Sequence, residues 1–134
     1  MRVFLDTDVL VSAFATRGLS ADVFRLVLTE HELLTGEVNL SELRRVLRDR
    51  IGLPPPTIDA VEQLLREHTI IPKPDKPLLV PIRDPDDCWV LASAVAGHAD
   101  VLVTGDKDLL QAAHPGPLRI LDPRRFWELS RRSR

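Results

Sequence analysis

RVFLD, residues 2–6, is a β-branched and aromatic run closed by an aspartate, and it reads as a short buried strand with a carboxylate at its C-terminal end. DVLVTGD (100–106) repeats that form, and ELLTG (32–36) and LRILD (118–122) supply two more strands. The segments between them carry apolar residues at helical spacing. DVLVSAFAT (8–16) and SADVFRLVLTEH (20–31) flank Gly18, with Ser20 placed as the cap of the second helix. NLSELRRVLRDR (39–50) is amphipathic: Leu40, Leu43, Val46 and Leu47 line one face and arginines take the other. Pro54, Pro55 and Pro56 are expected to stop it, and Thr57 to open a fourth helix with Ile58, Val61, Leu64 and Leu65 at the right period. IIPKPDKPLLVP (70–81) is an extended connector, with room for a short edge strand at Thr69–Ile71. DPDDCWVLASAVAGHA (84–99) starts a helix with Pro85 in its first turn and stops at Gly97. KDLLQAAH (107–114) and PRRFWELSRR (123–132) complete the helices.

Strands separated by helices pair in parallel through right-handed crossovers, so the expected fold is a three-layer α/β/α sandwich on a short parallel sheet of four or five strands. At 134 residues and 15.1 kDa the chain, 1–134, has the length of one domain. With 44% hydrophobic and 28% charged residues it can bury a core, and it is too apolar for a disordered tail. Cys88, the single cysteine, cannot form an internal disulfide or by itself hold a structural zinc, and it reads as a small buried apolar residue. No apolar run approaches a membrane span or a signal-peptide core, so a cytoplasmic location with no membrane association is expected.

In open parallel sheets ligands bind beyond the carboxyl ends of the strands, where the strand order reverses. Asp6 and Asp106 close two strands and would reach one sheet edge. Taken singly, each acid has a structural explanation. Asp6 or Asp8 can cap the first helix, and Asp84 can cap the helix that Asp86 and Asp87 open. Asp106 and Asp108 can cap DLLQAA, and Glu42 can pair with Arg45. Jointly the acids come from separate elements, with no histidine or cysteine cluster beside them. Carboxylates held together require neutralisation, and an all-oxygen site suits Mg²⁺ or Mn²⁺ rather than zinc. Such ions promote phosphoryl hydrolysis.

FLDTDVLVSA (4–13), SEL around Glu42, DPDDCWVLASA (84–94) and VLVTGDKDLL (101–110) resemble, in order, the four acidic blocks of PIN-domain nucleases. The resemblance covers nearly the whole chain. It implies a Mg²⁺-dependent ribonuclease that cuts single-stranded RNA, often the toxin of a VapBC-type toxin–antitoxin pair, with a small antitoxin as partner. Carried over by position, Asp6, Glu42, Asp87 and Asp106 match the four family acids and would be both catalytic and metal-binding. Asp84 competes with Asp87, which precedes LASA at the family distance, and Glu37 lies close to Glu42. Asp8 stands where many members have asparagine. Thr104 fits the polar residue before the fourth acid, where its hydroxyl can orient a carboxylate or a water. Asp108 is a further supporting candidate.

LDTDVL (5–10) also resembles the D-x-D motif of haloacid-dehalogenase-like phosphatases, with Asp6 as nucleophile and Asp8 as general acid. Against it, Asp106 and Asp108 are closer together than that family's last acids, and Lys73 and Lys76 sit in the proline-rich connector. A third reading is a PIN-like module that binds RNA without catalysis, which the presence of all four acids disfavours.

Net charge is −2, so no global basic field draws nucleic acid. With the four candidate acids set aside, 18 basic residues face 16 acidic ones. Fifteen of the basic residues are arginines, clustered at Arg44, Arg45, Arg48 and Arg50 and at Arg124, Arg125, Arg131, Arg132 and Arg134. They are either solvated helix faces or flanks of a groove that holds a phosphate backbone. His31, His68, His98 and His114 read as capping or surface residues, and Trp89 and Trp127 as core or interface rather than base-stacking platforms. Apolar side chains left exposed on the proline-flanked fourth helix would need cover, which favours a homodimer.

Overall fold

The computed structural model describes residues 1–112 and 116–132. Five strands form one parallel sheet: β1 (Arg2–Leu5), β2 (Glu32–Gly36), β3 (Thr69–Ile71), β4 (Val101–Val103) and β5 (Arg119–Leu121), in the order β3-β2-β1-β4-β5. The helices are α1 (Thr7–Ala15), α2 (Leu19–Glu30), α3 (Glu37–Val46), α4 (Pro55–Arg66), α5 (Pro85–Ala96), α6 (Lys107–Leu110) and α7 (Pro123–Arg132). Alternation along the strands divides the core into two layers. Val3, Leu5, Leu33, Val101 and Val103 pack with α1–α4 and α7, whereas Phe4, Leu34 and Leu102 face Val90, Leu91 and Ala94 of α5 and Leu109 of α6. The expected three-layer sandwich is therefore the observed fold, with five strands. No helix among the described residues is long and apolar enough to cross a membrane.

Helix boundaries depart from the sequence reading where backbone geometry outweighs side-chain cues. Ser20 is not a cap: α2 begins at Leu19 behind Gly18, so Ser20 lies inside its first turn. The prolines do not stop α3. That helix loosens into a π-helical turn over Leu47–Ile51 and ends at Gly52, whose φ of 78° is left-handed. Pro55 and Pro56 instead open α4, where a missing N–H costs nothing. The short α6 stops at Leu110, before the expected end; His114, like Arg134, lies outside the described residues.

The strand order reverses at the centre. β1 pairs with β2 on one side and with β4 on the other, in a register that matches Leu5 with Val103. Asp6 and Thr104 therefore follow the two central strands at the same level, at the point where an open parallel sheet leaves a crevice.

A candidate acidic metal site

Asp6 is buried and serves first as the N-cap of α1, taking the Thr7 N–H at 2.8 Å on Oδ1. The buried Asn39 amide of α3 donates to that same oxygen at 3.1 Å and to the Thr7 hydroxyl at 3.0 Å. On the other side, the buried Thr104 hydroxyl donates to Asp6 Oδ2 at 2.7 Å and accepts the Asp106 N–H at 3.0 Å. One hydroxyl thus ties the end of β1 to the turn after β4. Asp8 ties the same turn down again, accepting from Gly105 N–H at 2.7 Å and from Val9 N–H at 2.9 Å. Glycine is required for that approach, because a Cβ at 105 would stand 2.7 Å from the Asp8 carboxylate.

These anchors surround a cleft of about 190 Å³ lined by Asp6, Thr7, Asp8, Glu42, Asp84, Asp86, Asp87, Val90 and Asp106. The four principal acids expected from the sequence thus meet at one sheet edge. Carboxylate oxygens of Asp87, Asp106 and Asp108 lie within 4.8 Å of one another. Asp106 also caps α6, accepting from the N–H groups of Asp108 and Leu109. Asp84 caps α5 through the Asp86 N–H and remains exposed, whereas Asp87 is 7% exposed and its Oδ2 is buried without a hydrogen-bond partner. A buried, unpartnered carboxylate oxygen facing like charges needs a cation or a proton.

The electrostatics match that geometry. Burial pushes Asp87 up to about 7, with the charges of Asp106, Asp84, Asp108 and Glu42 adding to the shift. Asp6 is also raised to about 7, by burial and then by Asp8, against the lowering hydrogen bonds from Thr104 and Thr7. Asp8 keeps exposed surface, yet its surroundings remove enough water to raise it as well, and Asp106 adds to that. Glu42 moves in the same direction through loss of solvent, opposed by Arg45. An all-oxygen donor set with an orphaned buried oxygen fits a hard divalent ion such as Mg²⁺ or Mn²⁺.

Asn39 escaped the sequence reading. Its position three residues before Glu42, on the same helix face, was the available signal. Two other readings are narrowed. Arg44 is turned away from the cleft to Asp59 and Glu62, and Arg48 pairs with its neighbour Asp49. Trp127 packs against the core, but Trp89 belongs to neither core layer and is half-buried on the wall of a neighbouring groove.

The PIN domain family model matches residues 2–108. The chain belongs to the PIN domain family. Among solved structures it is similar to the crystal structure of VapBC2 from Rickettsia felis bound to a DNA fragment from their promoter. The TM-score is 0.65 and the identity 18%, over 91% of this chain and 98% of that one. A search of curated proteins returned no match. Family membership sets aside the phosphatase reading, and the site agrees: Lys73 stands over Trp89 and does not line the cleft that holds Asp6 and Asp8.

Proposed function

We propose that this protein is a Mg²⁺- or Mn²⁺-dependent endoribonuclease that hydrolyses phosphodiesters of single-stranded RNA. The observation that carries the reading is the cleft itself, where acids from four separate elements converge around the unpartnered Asp87 Oδ2. Asp87, Asp106 and Asp108 would hold the ion, with Asp6 and Glu42 completing the acidic wall. A divalent ion bound there supplies Lewis-acid stabilisation of a phosphoryl group and lowers the pKa of water. The chain's own part is positioning. Asn39 and Thr104 fix the Asp6 carboxylate, Thr104 and Asp8 fix the turn that presents Asp106, and Glu42 stands between the cleft and the adjoining groove.

The resemblance to VapBC-type toxins, together with the fold shared with VapBC2, supports the further reading of a toxin held by a small antitoxin in the cytoplasm. The test is cleavage of a single-stranded oligoribonucleotide by the purified protein. Activity with Mg²⁺ or Mn²⁺ that vanishes in excess EDTA is expected; cleavage that survives chelation overturns the metal dependence. Expression alone should arrest growth, and co-expression of a small protein from the neighbouring reading frame should relieve the arrest.

A further inference from the structure

The acid cleft opens into a second depression of about 500 Å³, whose walls include Glu37, Arg45, Lys73 and Trp89. Glu42, Asp86 and Val90 line both, so the two are continuous. Trp89 lies two residues beyond Asp87 on α5 and packs in neither core layer. The Lys73 ammonium rests 4.7 Å from the centre of its ring. Arg45 and Lys73 make no ion pair among the described residues, unlike Arg44, Arg48 and Arg66 nearby. Of the carboxylates in the groove, Glu37 is bound by Arg66 at 2.7 Å, which holds it below the ordinary range. Glu42 and Asp86 lie on the boundary with the acid cleft. The part away from the acids therefore combines two available cations with one aromatic face.

We infer that this groove receives the nucleotide adjoining the scissile phosphate, its base stacked on Trp89 and its backbone held by Arg45 and Lys73. The inference rests on the ribonuclease reading above. A single strand whose scissile phosphate lies among the acids must lead out of the cleft, and the groove is contiguous with it. Aromatic platforms flanked by cations are the usual means of holding unpaired bases, since every base has a π-face. Lys73 holds the ring face through a cation–π contact at an exposed position, which costs little to exchange for a phosphate oxygen.

The experiment pairs a change in the protein with a change in the RNA. The parent protein is given single-stranded oligoribonucleotides in which each nucleotide around the cut carries, in turn, an abasic site. One position next to the cut should raise KM by about 10-fold or more in the parent. Trp89→Ala should raise KM similarly on the intact strand and become indifferent to the abasic substitution, while Trp89→Phe should recover most of the loss. A parent that cleaves RNA but ignores abasic sites at every position overturns the inference, and it does so without a variant. So does Trp89→Ala with unchanged KM, including the case where it loses only its hold on a protein partner. A parent that cleaves no RNA at all refutes the ribonuclease reading instead, so the two failures are distinguishable.

Discussion

Helix α3 carries charge into two places that treat it in opposite ways. At Glu42 it contributes to a cleft in which acid faces acid. Two residues later, at Arg44, it joins a network in which every carboxylate has a guanidinium: Arg44 with Asp59 and Glu62, Arg66 with Glu62 and Glu37. The hydrogen bonds from Arg66 pull Glu37 below its ordinary value of 4.5, while burial and like charges lift Asp87 from 3.8 to about 7. The network is complete within the chain, and at an exposed surface each such pair contributes about 0–1 kcal/mol. The cleft is complete only when a proton or a cation arrives from outside. Acids that repel one another in a fold that could have paired them mark a site kept for a ligand.

The largest effect that would break this contrast is at Asp87. Asp87→Asn should lower cleavage by about 100-fold or more by removing an ion ligand. In EDTA the same change should stabilise the fold near neutrality. The raised native pKa means that the folded protein binds this proton more tightly than the unfolded chain. Stability is therefore fully present below about pH 4 and is lost as pH rises through about 7. Thermal melts of the parent in EDTA should fall across that window, by roughly 1–3 kcal/mol from this group, and Asp87→Asn should flatten the fall. An unaltered slope in the variant would mean that the Asp87 carboxyl is not held away from water and cation. Asp6, also raised to about 7, keeps its own share of the fall in both proteins, so the difference between parent and variant reads Asp87; Glu37, lowered by Arg66, acts below its ordinary 4.5.

A smaller effect is expected at Thr104, whose hydroxyl serves Asp6 and the Asp106 N–H together. Thr104→Val leaves the buried Asp6 oxygen and the half-buried Asp106 N–H short of a bond and should cost about 1–3 kcal/mol in denaturant unfolding; Thr104→Ser should restore most of it. A valine variant as stable as the parent would dissolve the link between the two strand ends. The smallest belongs to the network: Arg44→Met should leave the unfolding midpoint nearly where it is in the parent, since exposed ion pairs contribute little, and should leave the salt dependence of RNA binding alone. A flatter salt dependence in that variant would return Arg44 to the nucleic acid and blur the division between the regions.

What the sequence disclosed follows the same division. β1 and β4 were legible because each is a short apolar run ending in a carboxylate, and parallel pairing then forces those ends to one edge. Asp6 and Asp106 could be placed as strand-end carboxylates, whereas Glu42 and Asp87 were named through the resemblance to the acidic blocks of PIN-domain nucleases. For Asn39 the one signal was its place on the helix face of Glu42, and by itself that does not distinguish an amide facing water from one facing Asp6. The role of Asp8 was equally hidden, because it depends on Gly105, 97 residues away. The orientation of Arg44 depended on α4, which begins at Pro55 rather than Thr57 because proline at the first turn opens a helix. For Trp89 the sequence left core and interface open, and the packing of α5 places it on a groove wall.

The bond from Thr104 to Asp6 spans 98 residues, and β4, the partner of β1 at the centre of the sheet, is among the last strands to be made. Contacts of such separation form late, after loop closure over most of the chain. During synthesis Asp6 precedes the hydroxyl that holds it by 98 residues, and it stays without that partner until β4 has followed. The site is thus timed by the order of its own strands: until β4 has been made and has paired with β1, Asp6 and Asp106 have no common edge on which to meet.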